Sequence, residues 1–204
     1  DRIHDFMAPW GFGRLTGIDL PDEQPGLLPS SAWKQQRFKQ PWFPGETPSV
    51  GIGQGYNAFT ILQLAHATAT LANDAVAPRP HLVTHVGSVM PDNGEAPGGK
   101  PIRVSSQNLK LVQRAMTDVT RKGTARTAFL GAEYESAGKT GTAETGSDEG
   151  GPVTWFVGFA GTDLSKPSIA LAVVLDGGEQ TADNGTGGSV AGPIAASVID
   201  AAVD

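Results

Sequence analysis

The run "SAGKTGTAET", residues 136–145, sets one lysine among small residues and hydroxyls. That mixture has two chemical uses. One is a phosphate grip, in which a lysine ends a glycine-rich loop just ahead of a helix. The other is the wall of an acyl-transfer cleft, where hydroxyls hold a carboxylate and strand N–H groups face a developing oxyanion. The phosphate loop fails on spacing. If Gly138, Lys139 and Thr140 end G-x-x-x-x-G-K-[ST], the first glycine belongs at position 133, which is Glu133, a carboxylate where phosphate would sit. Gly141, Thr142 and Thr145 also oppose the helix that must follow. A strand suits the run better. Alternation puts Thr140 and Thr142 on one side, where both hydroxyls can bond a carboxylate. Lys139 and Gly141 fall on the other, the lysine extending under the cleft and the glycine leaving room for close packing. An edge strand can also pair with an extended peptide substrate.

Two further patterns suggest chemistry and are better read as structure. Gly53, Gly55 and Ala58 fit G-x-G-x-x-A, with Asp74 near the distance of a ribose-binding acid. The strand before them would be very short and the chain after them reads as a hairpin, so the glycines are expected to make a tight loop against a helix. His81 and His85 have the spacing of a helical metal pair. However, "PHLVTHV" is β-branched and follows a proline, and on a strand the two rings would stand about 13 Å apart. No metal and no cofactor is expected.

The elements that must hold the lysine run can be read from pattern. At 204 residues, 39% of them apolar, the chain can bury a real core. The net charge of −6 is spread without a basic stripe, which excludes an extended nucleic-acid surface. No cysteine is present, so disulfides, thiolate metal sites and cysteine nucleophiles are excluded. No apolar run approaches the roughly 20 residues of a bilayer span. The chain opens on Asp1 rather than a methionine and reads as a processed or excised piece.

Residues 1–58 read as a short helix and an irregular stretch, in which Pro21, Pro25, Pro29, Pro41, Pro44 and Pro48 block long regular structure. Trp33, Phe38, Trp42 and Phe43 are expected to pin it to the body. Residues 59–130 read as a helical part with a hairpin. Ile61, Leu64, Ala65, Thr68 and Leu71 follow helical spacing. "APRPHLVTHVGS" and "GGKPIRV" resemble the hairpin, and "SSQNLKLVQRAMTDVTRKG" is a second amphipathic helix capped by Ser105 or Ser106 and stopped by Gly123. Residues 131–204 supply three strand-like runs and a closing apolar helix. The third run, "SIALAVVL", is apolar enough for a strand covered on both faces and paired on both sides. "TGSDEGGP", residues 145–152, is expected to be a mobile loop. The fold class is α+β, an antiparallel sheet packed with helices.

Taken together, the motifs resemble a known family. Lys139-Thr140-Gly141 matches K-T-G, the third signature of the penicillin-recognising serine enzymes, whose other signatures are S-x-x-K and S-x-N or S-x-D. "GTARTAF" precedes it and "TWFVGFAGT" follows it at the spacing seen in penicillin-binding proteins. Upstream, "GFGRLTGIDLPDEQPGLLP", "WKQQRFKQPWFPGET" and "SVGIGQGYNAFTILQLAHATATLAN" resemble the elongation-type class B proteins, the penicillin-binding protein 2 family. The resemblance covers essentially the whole chain and implies the carboxy-terminal part of a transpeptidase fold. The resemblance puts the outer neighbour of "SIALAVVL" in the amino-terminal part, so residues 168–175 are expected to form an edge that is exposed or covered by a partner or another copy.

It also implies a peptidoglycan DD-transpeptidase, a β-lactam target acting in cell-wall cross-linking and cell shape at the periplasmic face of the inner membrane. The implied partners are the D-Ala-D-Ala stem peptide, β-lactams and membrane proteins of the elongation machinery. By the same resemblance Lys139 helps proton transfer from a second-motif serine, Thr140, Gly141 and Thr142 bind the substrate, and the Thr142 N–H supplies half of an oxyanion hole. The family's nucleophile and its S-x-N/D motif belong before "DRIHDFMAPWGFG", in an amino-terminal half that this sequence does not include. Residues 1–204 alone are therefore expected to be inactive; the alternative is a non-catalytic β-lactam- or peptide-binding remnant or scaffold. Three local matches are decoys. Ser31 to Lys34 fits S-x-x-K inside the proline-rich stretch, where Ser30 or Ser31 is better read as a helix cap. Ser136 to Lys139 fits too, but on a strand such residues face opposite ways. Ser106 to Asn108 imitates S-x-N at a helix start.

Overall fold

The computed structural model describes residues 1–83, 101–143, 151–176 and 185–203. In chain order the elements are α1 Arg2–Met7, α2 Ser31–Phe38, α3 Glu46–Gly51, α4 Ile61–Ala72, α5 Ser106–Arg121, β1 Glu135–Ala143, β2 Val153–Gly161, β3 Ile169–Leu175 and α6 Gly192–Asp200. The three strands form one antiparallel sheet in the order β1-β2-β3. Lys139 stands opposite Val157, Gly141 opposite Trp155, and Phe156 opposite Val173.

Alternation along these strands separates two packed faces. On one, Phe156, Ala160 and Leu171 meet Ala195, Ala196 and Ile199 of α6, joined by Ala125 and Phe129 from the turn after α5. On the other, Ala137 and Phe159 pack against Ala72 of α4 and, less deeply, Met116 of α5. Phe156 and Phe159 are buried to 0% and 1% exposure, and each such side chain contributes about 1.5–3 kcal/mol by leaving water. β3 touches both α4 and α6. Among the described residues it pairs with β2 alone, the edge position expected from the resemblance, although its apolar pattern by itself suits a strand paired on both sides. β1 likewise pairs on one side only.

Helices α4 and α5 begin at side-chain caps. Thr60 and Gln63 form a reciprocal capping box on α4, and Ser105, rather than Ser106, caps α5 through the Asn108 N–H. The anticipated face of α4 is only partly right. Ile61 is half exposed, whereas Thr68 and Thr70 are buried because their hydroxyls donate to the carbonyls of Leu64 and His66 one turn back. Gln63 is 1% exposed and its Nε2 donates to the carbonyls of Arg14 and Pro25, tying the proline-rich stretch to α4.

That stretch contains α2 and α3, each short enough to fit between prolines. Trp33, Phe38 and Trp42 gather around Tyr56, with centroids 5.1, 5.7 and 6.4 Å from its ring. Phe43 lies 4.2 Å below the ammonium of buried Lys34. The anticipated hairpin is not formed where it can be followed. Residues 77–83 and 101–104 carry no strand, and 84–100 lie outside the described residues. The physical reason is that the backbone donors there are taken: Leu82 and Val83 N–H groups bond the Asp19 carboxylate at 2.6 and 2.9 Å, and Ile102 N–H bonds the Ala75 carbonyl. Pro78, Pro80 and Pro101 have no N–H to give. The two bonds to Asp19 hold its carboxyl below the ordinary value. The loop expected at 145–152 lies, apart from its last two residues, outside the described residues.

Candidate functional site

Lys139, Thr140, Gly141 and Thr142 lie on β1, and the register puts Thr140 and Thr142 on the α6 face and Lys139 and Gly141 on the α4–α5 face. Lys139 is exposed, and its Nζ donates to the backbone carbonyl of Thr140. Gly141 is required by Trp155 across the ladder: a Cβ there would come within 1.8 Å of the indole.

Two segments that no local sequence pattern places here meet the threonines. Thr124, in the turn after α5, brings its Oγ1 within 2.8 Å of Thr140 Oγ1. The single-turn π-helix Gly187–Ala191, capped by Thr186 and Ser189, lays Gly187 over the Gly141–Trp155 rung. The Gly187 N–H donates to Thr142 Oγ1 at 3.4 Å. Side chains are excluded at both glycines. A Cβ on residue 187 would stand 2.5 Å from the Gly141 carbonyl oxygen, and one on 188 would stand 2.1 Å from the Thr124 carbonyl oxygen. Thr124 lay inside the quoted "GTARTAF" and Gly187 inside a glycine-rich run, but only tertiary approach gives either a role. Opposite Thr142 on β2, Thr154 is fully buried and its Oγ1 has no hydrogen-bond partner among the described residues.

The alternative serine patterns are not brought to an activating lysine. Ser31 Oγ donates to Asp1 Oδ1 at 2.8 Å, while Lys34 turns inward to pair with Glu46. Ser30, not Ser31, caps α2. Ser136 is buried, and Lys139 Nζ is engaged on its own strand. Ser106 is the first residue of α5, one past its cap. The Glu46 carboxyl is held below the ordinary value by its bond from Lys34, against the effect of burial and with help from Phe43 N–H and Tyr56 O–H. Gly53 and Gly55 adopt φ of +82° and +69° in a loop that ends well before α4, with no strand leading into it. His81 is exposed with Nδ1 3.3 Å from the Arg79 carbonyl oxygen, and His85 lies outside the described residues.

A family profile described as "Penicillin binding protein transpeptidase domain" matches residues 1–200. The peptidoglycan D,D-transpeptidase MrdA of Haemophilus influenzae is 35% identical over 98% of this chain and 32% of its own length. The crystal structure of Pseudomonas aeruginosa PBP2 in complex with WCK 5153 superposes with a TM-score of 0.85 at 37% identity, covering 98% of this chain and 42% of that one. Helicobacter pylori PBP2 in its complex with MreC gives a TM-score of 0.79 at 28% identity, covering 98% and 35%. The chain thus spans about a third of the length of its curated relative.

Proposed function

The chain belongs to the penicillin-binding protein transpeptidase family, and we propose that it forms one wall of the cleft of a serine-type peptidoglycan DD-transpeptidase. The observation that carries this reading is an edge strand bearing Lys139-Thr140-Gly141-Thr142 whose two hydroxyls are each held by a neighbouring segment. Thr140 and Thr142 bind the terminal carboxylate of a D-Ala-D-Ala stem peptide, or the equivalent carboxylate of a β-lactam. Gly141 leaves the strand backbone open to the extended ligand. A serine oxygen attacks the penultimate carbonyl, the amide C–N bond breaks, and D-alanine leaves as the amine after accepting a proton. A β-lactam undergoes the same attack, but its amine stays tethered and the adduct persists. Lys139 assists the proton movement, leaving the Thr140 carbonyl for the second-motif serine, and the Thr142 N–H faces the developing oxyanion.

The acylating serine lies in sequence outside residues 1–204; among the described residues neither S-x-x-K match, at Ser31 or Ser136, has its lysine beside its serine. The full-length protein acts at the periplasmic face of the inner membrane with membrane proteins of the elongation machinery; the H. pylori relative's complex with MreC supports that assignment. Among the described residues no helix is long and apolar enough to cross a membrane.

Intact-mass measurement after exposure to benzylpenicillin tests the proposal. The full-length protein is expected to gain one penicilloyl group, Lys139→Ala in that protein is expected to lose most of the adduct, and residues 1–204 alone are expected to gain none. A stable adduct on residues 1–204, mapped to Ser31, Ser106 or Ser136, would overturn the assignment of the nucleophile.

A further inference from the structure

We infer that Thr124 is a positioning residue for carboxylate recognition, acting through Thr140; the inference rests on reading β1 as the carboxylate-binding wall. A threonine hydroxyl has one proton to donate and two lone pairs to accept with. To bind a carboxylate, which only accepts, Thr140 and Thr142 must both point their protons at the ligand. Thr142 is prepared for this by Gly187. A backbone N–H can only donate, so the bond from Gly187 fills a lone pair of Thr142 Oγ1 and leaves its proton free. Among the described residues no backbone N–H donates to the Oγ1 of Thr140. Its Oγ1 instead lies 2.8 Å from Thr124 Oγ1, a contact in which either oxygen can donate. When an anion takes the Thr140 proton, Thr124 must become the donor, and the pair becomes a directed chain from Thr124 to Thr140 to carboxylate. The chain stabilises the anion more than a lone hydroxyl would, because each bond polarises the next.

The placement of Thr124 is held from several directions. Ala125, its neighbour, is 1% exposed and its N–H bonds the Val119 carbonyl at 3.1 Å. The Arg126 N–H bonds the Gly123 carbonyl at 3.1 Å, closing the turn around Thr124. On the other side, Gly188 approaches the Thr124 carbonyl so closely that no side chain fits between them. The turn after α5, β1 and the π-helix therefore converge at one point, and the turn and the π-helix each bring a hydrogen-bonding group to a β1 hydroxyl. Thr124 itself is exposed, so an isosteric change there need not disturb the core.

The test is the concentration dependence of benzylpenicillin acylation in the full-length protein, which separates the dissociation constant of the initial complex from the acylation rate. Thr124→Val keeps the shape and removes the hydroxyl. It is expected to raise that dissociation constant about threefold to tenfold, the scale of one hydrogen bond between neutral groups, while leaving the acylation rate unchanged. Thr124→Ser restores the hydroxyl and is expected to restore binding. An unchanged dissociation constant in Thr124→Val, a fall in acylation rate alone, or equal damage in the valine and serine variants would each overturn the role of Thr124 and leave the transpeptidase reading standing. A wild-type protein that benzylpenicillin does not acylate would overturn both.

Discussion

Thr142 offers a hydroxyl and a backbone N–H, and the proposed chemistry gives them different tasks. Thr142→Val removes only the first. Acylation of the full-length protein by benzylpenicillin should then need a concentration higher by about tenfold, with the rate at saturation kept, as measured by time-dependent labelling. Loss of the rate at saturation instead would mean that the hydroxyl serves the chemical step. Thr154, its buried neighbour across the ladder, is the reverse case: a hydroxyl with no partner among the described residues. Thr154→Val should be neutral or raise stability by about 1 kcal/mol in chemical denaturation, since it removes a buried polar group that gains nothing. A clear loss would show that the hydroxyl is bonded in solution. Strand alternation was enough to put Thr140 and Thr142 on one side from sequence alone. Thr124 and Gly187 were not legible in that way, because they reach β1 from 16 residues before Thr140 and 45 residues after Thr142, and no local pattern encodes such an approach.

The elements that present these residues divide by where their hydrogen bonds go. Strands β1 to β3 and helices α4 and α5 satisfy their backbones locally or with the next segment, so periodicity and caps located them. Thr60 closes the capping box that starts α4, and Thr60→Ala should cost about 1 kcal/mol in chemical denaturation. The stretches 77–83 and 101–104, expected to belong to a hairpin, carry no strand because their N–H groups go to the Asp19 carboxylate and the Ala75 carbonyl, partners distant in sequence. α2 and α3 were hidden by the prolines around them, although Ser30 as a cap was a legible sign of the first. The π-helix is the element on which the candidate site most depends. Gly188→Ala would drive a methyl into the Thr124 carbonyl. It should therefore impair benzylpenicillin binding together with thermal stability, whereas Thr124→Val should impair binding alone.

For the whole molecule, the fold class was readable because apolar runs and short turns dictate an antiparallel sheet, and the relatives carry the same fold. What joins the proline-rich region together was less readable, since Lys34 and Glu46 give no sign in sequence of pairing in an aromatic enclosure. That pair makes a pH prediction. The Glu46 carboxyl lies below its ordinary 4.5 in the folded protein, chiefly through Lys34, so its contribution is fully present above 4.5 and is lost as pH falls through the depressed value. Glu46→Gln should lower the melting temperature at neutral pH and flatten its fall on the acid side; parallel acid limbs in mutant and wild type would contradict this. The most direct test of the central claim is a crystal structure of the full-length protein acylated by benzylpenicillin. The expected result is a covalent bond to a serine outside residues 1–204, with the ligand carboxylate within hydrogen-bond distance of both Thr140 and Thr142 Oγ1. A carboxylate bound away from β1, or an adduct on a serine of this chain, would contradict it.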